Sequence, residues 1–87
     1  MAIWGADITQ LKALGTKLQS GSSEIEKQKS ALTKALESTD WKGPDADKFR
    51  REWHSTHAAQ LAKIAQALEE AGRQASRNAQ QQEETSR

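Results

Sequence analysis

Two histidines, His54 and His57, stand three residues apart in the segment KFRREWHSTH, with Asp47 and Glu52 close by. On a helix these groups could in principle ligate a metal ion together. A zinc site needs three or four convergent ligands at suitable spacing, and this set is no better than chance. Both histidines are expected to be structural or solvent-facing, with His57, which falls in an apolar register, packing its ring and leaving its polar tip at an edge. Serine, histidine and aspartate are also present for a hydrolase, but a pair of helices offers no concave pocket or oxyanion hole to organise them. The expectation is no enzyme, no cofactor, no metal and no small-molecule substrate.

The same segment joins Lys48, Arg50 and Arg51 to Phe49 and Trp53, a combination that can bind nucleic acid or a membrane surface. Asp45, Asp47 and Glu52 interleave with the bases. Asp47 with Arg51 and Lys48 with Glu52 make pairs at four-residue spacing, as on a solvated helix face. The net charge is +1 over 13 basic and 12 acidic residues, so nucleic acid is not an expected partner and membrane contact is not indicated.

These side chains need elements to hold them. The chain has 87 residues, one proline, no cysteine and no valine. That is room for one small domain with neither a disulfide framework nor a thiolate metal site to staple it. The residues available for a core are Ile3, Trp4, Ile8, Leu11, Leu14, Leu18, Ile25, Leu32, Leu36, Trp41, Phe49, Trp53, Leu61, Ile64 and Leu68, interspersed with alanines. So thin a core points to burial against another chain. The amino end, MAIWGADITQ, lacks the basic and apolar regions of a signal peptide or an anchor, so the protein is expected to be made soluble in the cytosol.

Trp4, Leu11, Leu18, Ile25 and Leu32 recur every seven residues, with Ile8 and Leu36 at complementary positions, the seam of a helix packed at a shallow angle on another. Asp7 and Gln10 form a capping-box pattern that starts this helix near Asp7. The segment GTKLQSGSSE, with two glycines and three serines, argues for a break, and Ser23 with Glu26 could cap a fresh helix. The apolar phase passes straight through it, so one continuous helix over about 7–38 is expected. Gly15 and Ser22 then fall on the seam, where small side chains admit a close neighbour.

After Pro44 a second helical pattern runs through Phe49, Trp53, His57, Leu61, Ile64, Leu68, Ala71 and Ala75. Ala58, Ala62 and Ala65 widen it into a stripe that suits more than one neighbour. The helix is expected over about 44–79, followed by a polar, flexible tail at 80–87. The connection at about 39–43 is short enough to make the two helices antiparallel. Gly43 supplies the backbone freedom of the turn, Pro44 suits the first helical position, and Asp45 and Asp47 suit the positive helix start. Trp41 is not explained by turn chemistry. Either it folds back on its own hairpin beside Leu36 and Phe49, or a second chain covers it.

Trp41, Lys42 and Gly43 in a mid-chain turn between two long helices, with Ala46 and Phe49 after the glycine, resemble the WXG family of early secretory antigen-like proteins. The resemblance covers nearly the whole chain: length, helix, turn, helix, short polar tail, no cysteine and no signal peptide. It implies an all-α helical hairpin that dimerises, with itself or with a second member of the family, into a four-helix bundle. It implies export of the folded dimer from a Gram-positive or actinobacterial cell by a type VII secretion system, with the secretion ATPase as a partner. Outside the cell such a protein acts as effector, carrier or adaptor.

Carried over, Trp41 and Gly43 are the turn half of an export surface completed by the partner's second helix, and Leu11, Leu18, Ile25, Leu32, Leu36, Phe49, Trp53, Leu61, Ile64 and Leu68 pack the hairpin or the dimer. Members with an export signal typically end with a tyrosine and an acid four residues later. This chain has no tyrosine, and Glu83 and Glu84 are preceded at that spacing by Ala79 and Gln80. Either a partner subunit supplies that half or the tail differs. The alternative function is a cytosolic coiled-coil dimer acting as a regulatory adaptor without export.

Overall fold

A computed structural model describes residues 7–85, so Ile3 and Trp4 of the expected core and seam lie outside the described residues. The chain is an all-helical hairpin. Helix α1 spans Ile8–Ser38, α2 spans Pro44–Glu52, a π-helical segment spans Trp53–His57, and α3 spans Ala58–Thr85. The last three join end to end as the second rod.

Helix α1 begins where Asp7 Oδ1 accepts a hydrogen bond from the Gln10 amide at 2.9 Å, satisfying one of the amides that a helix start leaves unpaired. It then runs unbroken for 31 residues, through both internal glycines. Tertiary packing overrides their low helix propensity here. A Cβ added to Gly15 would meet Ser76 Oγ at 2.7 Å and the Gly72 carbonyl oxygen at 3.0 Å, and one added to Gly72 would meet the Gly15 carbonyl oxygen at 2.9 Å. At this level the two backbones touch, which only glycine permits.

One helical turn pair further on, Ser22 is buried and its hydroxyl donates to the Ala65 carbonyl at 2.6 Å. The partners run in opposite order along the rods: Lys12 with Glu83 at 2.6 Å, Gly15 with Gly72, Ser22 with Ala65, and Thr33 with Trp53 at 2.9 Å. The hairpin is therefore antiparallel. Its centre is made of small residues, with Gly15, Ser22, Ala65, Gly72, Ala75 and Ala79 buried.

The π-helical segment sets which residues of the second rod reach that centre. An inserted residue turns everything beyond it by about 100°. Steps of about 3.6 residues from Trp53 lead to Ile64 and Ala71, the positions that uninterrupted periodicity assigns to the packed stripe. Counting from one residue later leads to Leu61, Ala65, Leu68 and Gly72. The structure follows the second series: Ala65 and Gly72 are buried, whereas Ile64 and Ala71 are exposed. The insertion puts two small residues opposite Ser22 and Gly15, where an isoleucine has no room.

The second rod also continues farther than sequence composition indicates. It is helical to Thr85 rather than giving way to a flexible tail after about residue 79. Ala79 is fully buried, Lys12 pairs with Glu83 across the hairpin, and Gln80 bonds Glu84 one turn on at 3.5 Å. Glutamine and glutamate are good helix formers, so this stretch needs few contacts to stay wound.

Candidate interaction surface

The turn and one long face of the hairpin present the groups best suited to bind another protein. At the turn, Gly43 has φ 119° and is the one described residue with positive φ. Pro44 follows at the first turn of α2, with Asp45 and Asp47 beside the helix start. The backbone of α1 ends on an extended Thr39, whose amide still bonds the Ala35 carbonyl at 3.1 Å.

Trp41 occupies the open side of this turn. Its ring centroid is 6.3 Å from that of Phe49, and the Arg50 guanidinium lies 5.9 Å from it. Even so, 42% of the residue is exposed. The hairpin covers part of the indole from α2 and leaves the rest to solvent. The Phe49 ring lies tilted 6.4 Å from that of Trp53 and 6.2 Å from that of His57, so an aromatic row runs from the turn up the second rod. Trp53 ends the row inside the fold: it is buried, and its Nε1 donates to Thr33 Oγ1, which in turn donates to the Lys29 carbonyl at 2.8 Å.

Helix geometry distributes the remaining apolar side chains unevenly. With Gly15 and Ser22 facing Gly72 and Ala65, Leu11, Leu14, Leu18, Ile25 and Leu32 fall to one side of α1. In an antiparallel partner, Leu61, Ile64, Leu68, Ala71 and Ala75 fall to the same side. Gly21 places this arrangement in space, since the nearest atom to a Cβ built there is Leu68 Cδ1 at 3.7 Å. The opposite side carries Lys12, Gln19, Glu26 and Thr33 from α1 and Glu69, Ser76 and Glu83 from α3. One face of the hairpin is greasy and the other polar.

On the apolar face Leu11, Leu18, Ile25, Leu61 and Leu68 are half-buried, as is Leu36 near the turn. Leu14, Leu32 and Ile64 are each about half exposed, at 49%, 46% and 50%, and Phe49 is 38% exposed. Large apolar side chains thus stay accessible along this side. The hairpin measures 64 × 18 × 12 Å with a radius of gyration of 19.1 Å, against about 12 Å for a compact chain of this length. Its accessible surface is 6733 Å², about 1,600 Å² more than a compact monomer of its mass displays.

The groups singled out for chemistry are not drawn together. Among the described residues no cluster of three or more histidines, cysteines or acids could hold a metal ion. His54 is exposed and His57 is half-buried against Phe49. A surface hollow bounded by Arg50, Arg51, Glu52, His54 and Ser55 is shallow and open. Lys48 pairs with Glu52 at 4.0 Å, while no ion pair joins Asp47 to Arg51 among the described residues. Instead of lying on a solvated face, Arg50 turns back to the end of α1, donating to the carbonyls of Leu36, Thr39 and Trp41. No spacing rule signals that contact, because its partners are backbone atoms across a turn. No helix of the described residues is long and apolar enough to cross a membrane. Set against protein-family models, curated proteins and solved structures, the chain matches none.

Proposed function

We propose that this chain is a small interaction protein of the WXG type: it pairs through its apolar face into a four-helix bundle and is exported, folded, by a type VII secretion system. What supports the reading is the W-x-G turn at the tip of an antiparallel helical hairpin, with its indole 42% exposed. The surface in excess of a compact monomer, about 1,600 Å², is ample for a standard interface, which takes about 800 Å² from each partner. The partner is a second copy or a related hairpin, and the paired molecule serves as effector, carrier or adaptor by protein contacts.

In this reading Trp41 and Gly43 form the turn half of the surface met by the secretion ATPase, and the exposed leucines and Ile64 are for pairing. The chain lacks the tyrosine of the usual tail motif. Either a related partner hairpin supplies that half of the export surface, or this chain's own tail, whose Glu83 pairs with Lys12, serves in a different form.

Trp41→Ala tests the assignment in a Gram-positive or actinobacterial host that carries the secretion system. The expected result is a protein as helical and as well paired as the wild type whose release into the medium falls at least about tenfold, the factor that 1.4 kcal/mol of recognition supplies. Release at the wild-type level removes the turn from the export surface, whereas a wild-type chain that never reaches the medium favours a cytosolic adaptor that works through the leucine face alone.

A further inference from the structure

The geometry points to Arg50 as the positioning residue of the turn: its guanidinium fixes how the Trp41 indole is presented to whatever binds there. This rests on the reading of the turn as a recognition surface. Arg50 Nε and Nη2 donate to the Leu36 carbonyl at 3.2 and 3.1 Å, Nη2 also to that of Thr39 at 3.0 Å, and Nη1 to that of Trp41 at 2.7 Å. The same planar cation lies 5.9 Å from the Trp41 ring centroid. One side chain thus grips the backbone before and at Trp41 and also lies against the ring.

Ser38 and Thr39 donate their hydroxyls back to the Ala35 carbonyl, but beyond them the turn has little of its own to hold Trp41. Helix α1 ends on Thr39 in an extended conformation, without the left-handed residue that commonly satisfies the last carbonyls. Positive φ appears only at Gly43, after Trp41 has been placed. The one backbone bond to Trp41 within the turn is the short-range link from its amide to the Thr39 carbonyl at 2.9 Å. A forked donor of fixed shape can hold three carbonyls at once. Lysine offers three donors from a single point, and glutamine offers two without charge.

The experiment uses the full chain labelled with 5-fluorotryptophan, its fluorine resonances assigned by Trp41→Phe and Trp53→Phe. The variants are Arg50→Gln and Arg50→Lys. In Arg50→Gln the Trp41 resonance is expected to shift and sharpen as the ring gains freedom, while that of Trp53 stays in place and the helix content is kept. Arg50→Lys falls between Arg50→Gln and the wild type. In the secretion assay Arg50→Gln lowers release about tenfold, as Trp41→Ala does.

An unmoved Trp41 resonance in both variants overturns the proposal. So does a Trp53 resonance that moves together with a loss of helix, because Arg50 is then a general stabiliser. Loss of release in Trp41→Ala with wild-type release in Arg50→Gln overturns the role of Arg50 and leaves the turn reading intact. Wild-type release in Trp41→Ala removes that reading, and this proposal with it.

Discussion

Replacing Ile64 by lysine leaves each hairpin folded and weakens its pairing about a hundredfold. Ile64 is half exposed in the single hairpin, so a lysine there finds water and the fold loses little. In the proposed bundle the same position lies under a second hairpin, where an unpaired ammonium is costly to desolvate. Central residues of an interface cost about 2 kcal/mol or more when lost, and about 2.8 kcal/mol corresponds to a factor of one hundred. Sedimentation of the wild type and of Ile64→Lys over the same dilution series reads the difference. The helix signal of the fully associated wild type serves as the reference for fold. Glu69→Lys, on the polar side of the same helix, is the matching control and leaves association unchanged.

Gly72→Val forces the two rods apart. A Cβ at this position already falls 2.9 Å from the Gly15 carbonyl oxygen and 2.8 Å from Gln19 Cγ, and the first of these is backbone that cannot swing away. Separation also breaks the nearby bond from Ser22 to the Ala65 carbonyl. Overpacking of this kind costs about 1–3 kcal/mol, and losing the buried hydroxyl's partner adds about 1–3 kcal/mol. Against a total stability of about 5 kcal/mol for a small domain, that is most of the fold. The thermal midpoint is expected to fall by about 10 °C or more, read by circular dichroism. Gly21→Ala gives the opposite sign. The nearest atom to its new methyl group is Leu68 Cδ1 at an ordinary 3.7 Å, so the gain of about 1 kcal/mol in helix propensity goes uncancelled.

The contrast between these two glycines shows how far the fold was legible from residue order. The seven-residue recurrence of Leu11, Leu18, Ile25 and Leu32 carried α1 correctly through Gly15 and Gly21, because a shared phase across a weak segment has one simple cause. Asp7, Gly43 and Pro44 are local signals acting on their own backbone, and each sits where its chemistry placed it. Gly15 and Ser22 were legible as points of close approach, since small residues on a seam have few other uses there.

What faced Gly15 and Ser22 was not legible. The π-helical residue between Trp53 and His57 leaves no mark in composition, and it moves the buried series from Ile64 and Ala71 to Ala65 and Gly72. It accompanies the packing: Trp53 reaches Thr33 on the other rod while the Phe49 ring lies beside that of His57, and the stretch beyond brings small residues to the centre. Arg50 was hidden for a related reason. Its sequence neighbours suggest ion pairs along a helix, whereas its observed partners are the carbonyls of Leu36, Thr39 and Trp41. Past Ala79 the good helix formers keep the rod wound, and the pairing of Lys12 with Glu83 exists only once the hairpin has closed.

Greasy surface on one side, a polar surface on the other and a half-covered indole at the tip form the physical basis of the proposed role. Its central claim is that a second hairpin covers this apolar face and that the covering adds stability. Thermal unfolding of the purified chain over a wide dilution series, followed by circular dichroism with sedimentation at the same concentrations, tests it most directly. The account predicts a melting midpoint that rises with concentration as the chains associate. A monomer at every dilution that melts cooperatively at one fixed temperature contradicts it.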